Sequence, residues 1–207
     1  MILFFDFCII FFLYLENMMQ NEFLFTSDLH FLHKNVVKFC NRPWTFEQQT
    51  DELISRWNQK ASINSNVYHL GDFIFAGTTK FPIFVDIISK LNGKIHFIKG
   101  NHCHRNFWKM VEDANLPNIV LIDNYLELSI EKQQVILFHY PISNWNNMHY
   151  GSIMLHGHEH GSCKREGKIL DVGIDNHPNF ELFSWQEIKE IIDKKEVYIP
   201  ENLKHMD

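Results

Sequence analysis

The sequence predicts an α/β sandwich with a mixed second half, and three observations predict it. Five short apolar runs recur: Phe23-Leu24-Phe25, Val67-Tyr68-His69-Leu70, Ile95-His96-Phe97-Ile98, Val135-Ile136-Leu137-Phe138 and Ile153-Met154-Leu155. Rich in β-branched and aromatic residues and bounded by polar clusters, they read as buried strands. Between the first three runs, apolar residues fall at helical spacing. After the third helical stretch the runs follow one another with little helix between them, so strand–helix alternation gives way to strands.

The elements follow in order. Thr45-Phe46-Glu47-Gln48 is a capping box, in which the Thr side chain accepts the third helical N–H and Gln reaches back to the cap. Phe46, Leu53, Ile54 and Trp57 then share one helical face. Phe81, Phe84, Val85, Ile88 and Leu91 do so in a second helix, which Asn92-Gly93 should stop as a left-handed cap. Phe107, Met110 and Val111 mark a third. Ile169 to Ile174 reads as a further strand turning away through Gly173. Ser184-Trp185-Gln186-Glu187 is a second capping box, opening a C-terminal helix through Ile188, Ile191 and Ile192. No repeat, low-complexity tract or linker divides the chain.

At 207 residues this is most simply one domain. Its 45% hydrophobic and 21% charged residues suit a soluble globular protein. A formal net charge of −6 without a basic stripe argues against a dedicated nucleic-acid or anionic-membrane binder. Bound divalent ions would reverse that sign locally, so nucleotides and nucleic acid stay open as substrates. Cys8, Cys40, Cys103 and Cys163 form no Cys-x-x-Cys pair, which leaves zinc ribbons, redox motifs and disulfide frameworks without support. Reduced thiols in the cytoplasm are the plain expectation.

Met1 to Leu15 is almost wholly apolar, broken only by Asp6, and has no basic start and no small-residue cleavage site. It is short for a membrane span, which needs about 20 residues. With Met18 and Met19 directly before the first strand, residues 1–17 read as an N-terminal extension from a start codon placed too early, and 18–207 as the domain. A packed strand or helix and a membrane anchor are the alternatives.

Chemistry collects where the strands end: Asp28-Leu29-His30, Gly71-Asp72, Gly100-Asn101-His102, His139 and Gly157-His158-Glu159-His160. In layered α/β proteins ligands gather outside the carboxyl ends of strands, so these five clusters should converge. Carboxylates (Asp28, Asp72), a carboxamide (Asn101) and imidazoles (His30, His139, His158, His160) form a mixed oxygen and nitrogen set without thiolate. Such a set suits Mn²⁺, Fe, Zn²⁺ or Ni²⁺ better than Ca²⁺ or a structural zinc. Seven ligands are too many for one tetrahedral ion but suffice for two ions sharing a carboxylate. Two-metal sites suit in-line displacement at phosphorus.

The ordered set D-x-H, G-D, G-N-H, H and G-H-x-H, from Asp28 to His160, resembles the calcineurin-like metallophosphoesterase superfamily. Ser27-Asp28-Leu29-His30-Phe31-Leu32-His33-Lys34-Asn35, Cys40-Asn41-Arg42-Pro43, His139-Tyr140-Pro141 and Leu155-His156-Gly157-His158 look like a small phosphoesterase subgroup of bacteria and phages. The resemblance implies a four-layer α/β/β/α sandwich with mixed sheets. It implies that Asp28, His30 and His160 hold one metal, that Asp72 bridges, and that Asn101, His139 and His158 hold the second. Of the two ions, Mn²⁺ is the first expectation. In-line attack by a metal-bridging hydroxide would cleave a phosphodiester or phosphomonoester, with His102 protonating the leaving oxygen. The protein-phosphatase branch continues G-D as D-x-x-D-R-G, supplying an acid and an arginine. Here the run is Gly71-Asp72-Phe73-Ile74-Phe75-Ala76-Gly77, which argues against a protein phosphatase.

Arg42 is a candidate grip on substrate phosphate through its planar fork, and His33 a candidate substrate contact; a solvated arginine and a capping histidine are the plainer readings. His69, His96 and His156 suit core packing or support of a ligand. Cys103 and Cys163 read as ordinary thiols, Trp145, Tyr140 and Tyr150 as core before base-stacking, and Lys34, Lys38, Arg105 and Lys109 as solvated surface before steering groups. The expected partner is a small phosphoester or nucleotide-like substrate. A single-strand or end-directed nuclease is the runner-up, and a catalytically silent interaction scaffold the alternative outside enzymes. The sequence is silent on oligomeric state.

Overall fold

A computed structural model describes residues 22–199. The expectations for residues 1–17 therefore lie outside the described residues. Five strands form one sheet: β1 (Phe23–Thr26), β2 (Asn66–His69), β3 (Lys94–Phe97), β4 (Ile119–Leu121) and β9 (Phe183–Ser184), in the order β4-β3-β2-β1-β9. The first four run parallel, and β9 pairs antiparallel with β1. The second sheet, in the order β5-β6-β7-β8, contains β5 (Tyr125–Ile130), β6 (Gln133–Phe138), β7 (Ile153–His156) and β8 (Ile169–Asp171). β5 and β6 form an antiparallel hairpin, and β6, β7 and β8 run parallel. Five helices accompany the sheets among the described residues: α1 (Val36–Phe39), α2 (Phe46–Lys60), α3 (Phe81–Lys90), α4 (Arg105–Ala114) and α5 (Trp185–Ile192).

Strand alternation sorts side chains into layers. Leu24, Val67, Ile95 and Phe97 face the outer helices and pack with Leu53 and Trp57 of α2, Phe84, Ile87 and Ile88 of α3, and Phe107 and Val111 of α4. Their neighbours Phe25 and Tyr68 face inward, onto Val135 and Leu137 of β6, Ile153 and Leu155 of β7, and Trp185, Ile188 and Ile192 of α5. The outer face of the second sheet, with Ile136, Met154 and Ile169, is closed by Trp145 and Met148. This fourth layer is thin, built from the segment after β6 and one 3₁₀ turn, Met148–Tyr150.

Both capping boxes form. Gln48 Oε1 accepts the Thr45 N–H at 3.0 Å, and Ser184 Oγ accepts from Glu187 N while Glu187 Oε2 accepts from Ser184 N at 2.7 Å. The expected left-handed cap at Asn92-Gly93 is corrected: α3 ends on Leu91 in an extended conformation. Gly93 does take φ +88°, but inside the turn to β3, where a Cβ would press on the Ser65 carbonyl. Its positive φ serves that close approach. The strand expected over Ile169–Ile174 stops at Asp171. The chain then crosses to the first sheet through a Ser27–Gly173 bridge and turns as a 3₁₀ segment, Ile174–Asn176.

Candidate metal centre

Loops after β1, β2, β3, β6, β7 and β8 meet at the carboxyl ends of the strands. The first two run side by side, Asp28 N donating to Gly71 O and His30 N to Asp72 O, each at 3.0 Å. Glycine stands in three motifs because the loops touch there. A Cβ on Gly100 would collide with Asp72, one on Gly157 with Ser27 and Asp28, and one on Gly71 with the His139 ring and the Gly100 backbone. Asp28, His30, Asp72, His158 and His160 all adopt positive φ, between 47° and 72°. Such strain persists only where surroundings over-determine it, and it concentrates at functional sites.

One group comprises Asp28, His30 and His160, whose ligand atoms lie within 4.8 Å of one another. Asp28 is fully buried. Its Oδ2 accepts the His158 N–H at 2.8 Å, while Oδ1 has no hydrogen-bond partner. Burial pushes the Asp28 carboxyl up to about 6, against the pull of His139 and His160. His30 Nε2 lies 3.8 Å from Asp28 Oδ1 and 3.9 Å from Asp72 Oδ2, and burial drives its pKa down to about 3. His160 Nδ1 is bonded to Asp175 Oδ2 at 2.7 Å, with Cys40 Sγ 3.3 Å from the same nitrogen. Burial opposes charge on His160, but Asp175 and Cys40 together raise it to about 10.

A second group comprises Asp72, His139 and His158. His139 Nδ1 donates to Leu70 O at 2.7 Å, which leaves Nε2 facing Asn101 Oδ1 at 2.8 Å and Asp72 Oδ2 at 3.5 Å. His158 Nδ1 lies 2.9 Å from the same Asn101 oxygen. Asp72 stands between the groups, and its Oδ1 accepts the His102 N–H at 2.9 Å. Burial alone would raise the Asp72 carboxyl; bonding from His139 and that N–H lowers it to about 2.

These atoms fit divalent cations. A buried carboxylate oxygen is orphaned at Asp28, and around His139 Nε2 stand Asn101 Oδ1 at 2.8 Å and Asp72 Oδ2 at 3.5 Å. Buried polar groups without partners are rare, and a cation at this cluster would satisfy the Asp28 oxygen. Cys40, His160 and Asp175 form a third cluster of ligand type. Its Asp175 already pairs with the Arg42 guanidinium, whose charge opposes a cation there, so this cluster reads as support for His160.

Arg42 is the clear correction. As a candidate grip on substrate phosphate or a solvated arginine it would be open to solvent, yet its side chain is wholly buried, and all five guanidinium donors meet protein acceptors. Nε and Nη2 hold Asp175 at 2.7 and 3.0 Å, Nη1 bonds Leu29 O and Gln49 Oε1, and Nη2 also bonds Asp28 O. Arg42 thus clamps the backbone of the D-x-H loop to the carboxylate that orients His160. His33 sits at the mouth, stacked on Phe75 at 4.5 Å and 5.4 Å from the His30 ring. His102 lies at the open side, its side chain 37% exposed, with Nε2 3.9 Å from Asp72 Oδ2. Its ring meets His30 and Phe75 edge-on, each at 5.3 Å.

The other candidates fall where the plainer readings put them, with two exceptions. His69 packs among Phe73 and Phe97, His96 stacks on Tyr68 and bonds Asn66, and His156 bonds the Gly157 carbonyl. Trp145 is core, Cys103 Sγ accepts from Gly100 N, and Lys109 pairs with Asp113 on the surface. The exceptions are Tyr150, which is exposed on the surface, and Tyr140, which is 39% exposed and edge-on to His158 at 4.7 Å; neither is a core residue. Two residues with work at the site escaped the sequence reading. Gln49 Nε2 donates to His30 O at 3.0 Å, and Asp175 links His160 to Arg42. Asp175 follows the last predicted strand, so the strand-end rule that found the other clusters would have found it.

The architecture is a mixed α/β sandwich of two sheets with a polar centre at their strand ends. No family model matches the chain. It is 28% identical over 146 residues to the uncharacterized protein MJ1445 of Methanocaldococcus jannaschii, a match covering 70% of this chain and 73% of that protein. It is 27% identical over 178 residues to the Gene 66 protein of Mycobacterium phage L5, covering 73% and 85%. Among solved structures, AQ665 of Aquifex aeolicus, a protein of unknown function, shares the fold at a TM-score of 0.63 and 20% identity, covering 83% of this chain and 99% of that one. The E. coli phosphoesterase YfcE aligns at a TM-score of 0.43 and 16% identity, covering 74% and 78%. No helix among the described residues is long and apolar enough to cross a membrane.

Proposed function

We propose that this chain is a phosphoesterase that uses two divalent metal ions and hydrolyses a phosphodiester. One observation carries the reading: two clusters of ligand type adjoin at Asp72, whose Oδ2 lies 3.9 Å from His30 Nε2 and 3.5 Å from His139 Nε2, and Asp28 Oδ1 in the first is buried without a partner. Asp28, His30 and His160 would hold one ion, Asn101, His139 and His158 the other, with Asp72 common to both. Manganese is the first candidate for this mixed set, followed by iron, zinc and nickel. Two bound ions supply a more acidic water and positive charge to offset that developing on phosphorus oxygens.

The protein's own groups do the rest. Leu70 O and Asp175 fix the Nδ1–H tautomers of His139 and His160, so that Nε2 of each is the coordinating nitrogen. Asp72 Oδ1 holds the His102 backbone, which keeps the ring at the open side of the centre, where it donates a proton to the leaving oxygen. Diesters are favoured over monoesters because Arg42, the arginine of the D-x-H loop network, has no donor left for a dianionic phosphate.

The test is hydrolysis of bis-p-nitrophenyl phosphate against p-nitrophenyl phosphate by metal-stripped protein, with Mn²⁺, Ni²⁺, Zn²⁺ or Mg²⁺ added back. Metal-dependent turnover that favours the diester and vanishes in Asp72→Asn is expected. A folded protein that binds two ions yet cleaves neither ester with any metal would overturn the proposal.

A further inference from the structure

Resting on the phosphodiesterase reading, we propose that the substrate carries planar aromatic groups on both sides of its phosphate, as a short nucleotide diester does, and that Phe75 and Tyr140 are the two walls that recognise them. Large apolar rings at a polar centre need a reason, since the same surface could carry polar residues. Phe75 is 42% exposed and Tyr140 39%. Both belong to loops that also carry candidate ligands: Phe75 follows Asp72 by three residues, and Tyr140 follows His139 directly.

The rings stand at different poles of the centre. Phe75 lies edge-on to His102 at 5.3 Å and stacks on His33 at 4.5 Å, with its backbone fixed by the bond from Phe75 N to Phe31 O. Tyr140 lies edge-on to His158 at 4.7 Å and His139 at 5.0 Å. A phosphate at Asp72 would therefore have one ring towards His102 and the other towards His139 and His158. Because His102 faces the leaving oxygen, Phe75 borders the leaving group and Tyr140 the ester that stays on phosphorus. Stacking suits this site because the clamped Arg42 offers the substrate no charge-based grip. Base–aromatic stacking is tolerant of sequence and strong enough to set preference. His33 is then a buttress, holding the Phe75 ring rather than touching phosphate.

The experiment compares two monoanionic diesters of equal charge, diphenyl phosphate and dimethyl phosphate. Each is titrated as a competitive inhibitor of bis-p-nitrophenyl phosphate hydrolysis by the metal-loaded protein, and by calorimetry into the same protein. Diphenyl phosphate should bind tighter by about tenfold or more, as one stacked ring already allows. Phe75→Leu and Tyr140→Leu should each remove part of that preference, the double variant should leave the two probes within about twofold, and Phe75→Trp should retain it. The ratio of the probes is the readout, with metal content and melting temperature checked for every variant. Equal binding of the two probes by the wild type, or a preference untouched in the double variant, overturns the inference while hydrolysis itself stands. Absence of hydrolysis overturns the phosphodiesterase reading instead, and calorimetry still decides the aromatic preference.

Discussion

Asp175 and Leu70 O act on imidazoles in the same way: each accepts a hydrogen bond from Nδ1–H and turns Nε2 towards the centre. Removing such an outer partner typically weakens metal affinity 10–100-fold. Asp175→Asn should therefore weaken one of two calorimetrically resolved Mn²⁺ sites by that order and leave the other nearly unchanged; equal loss at both would contradict the assignment of His160 to a single ion. Asp72→Asn and His139→Ala should abolish turnover. His102→Ala should slow it while the protein keeps its metals, and loss of metal from that variant would show His102 to be a ligand. The ligand types were legible in the sequence because carboxylate, carboxamide and imidazole repeat at run ends. Arg42 was misread because only three-dimensional contact shows that its donors are already engaged.

At the level of elements, the centre depends on glycines that let neighbouring loops touch. Gly100→Ala would drive a methyl into the Asp72 carboxylate and backbone, and Gly157→Ala into Ser27 and Asp28. Either should lower the urea midpoint and the metal content together; a Gly157→Ala protein with wild-type metal content would refute the close-approach argument. At the far end of the chain, Ser184→Ala removes a formed N-cap and should cost about 1 kcal/mol in chemical denaturation, with metal content unchanged. Helices α2, α3, α4 and α5 and the strands of the five apolar runs could be read from apolar periodicity and caps, although the cap expected after α3 was not the one formed. The hairpin of β5 and β6 was harder, since its turn is Glu131-Lys132, with φ of 50° and 68°, instead of the Asn-Gly that usually marks such a turn. Two-residue β9 and three-residue β4 are too short to show a period, and tertiary pairing decides them.

For the molecule as a whole, the core beneath the outer helices includes a titratable group that sets a pH limit. His69 is fully buried between Phe73 and Phe97, and burial lowers its pKa to about 3 from an ordinary 6.5. The unfolded chain takes up this proton below 6.5 while the folded chain does not. The stability that neutral His69 contributes is complete above 6.5 and is lost as pH falls towards 3. The urea midpoint should drop between pH 7 and 5, and His69→Asn should flatten that slope; an unchanged slope would place the acid sensitivity elsewhere. The layered α/β plan and the convergence of strand ends were legible because buried strands and amphipathic helices leave strong periodic signals. The thin fourth layer, resting on Trp145 and Met148, leaves none.

The Ser27–Gly173 bridge ties residues almost at opposite ends of the described chain, and it does so beside Asp28 and Asp175. Contacts so distant in sequence form late in folding, because loop closure must precede their reward. A nascent chain can gather histidines locally, but it cannot present the centre until both sheets have docked and the last crossing is made. Metal uptake should therefore report completed folding, and by mass action it should hold the finished protein against reopening. In refolding from urea, manganese capture would trail the return of secondary structure, making the ion a seal on a closed chain and not the seed of its assembly.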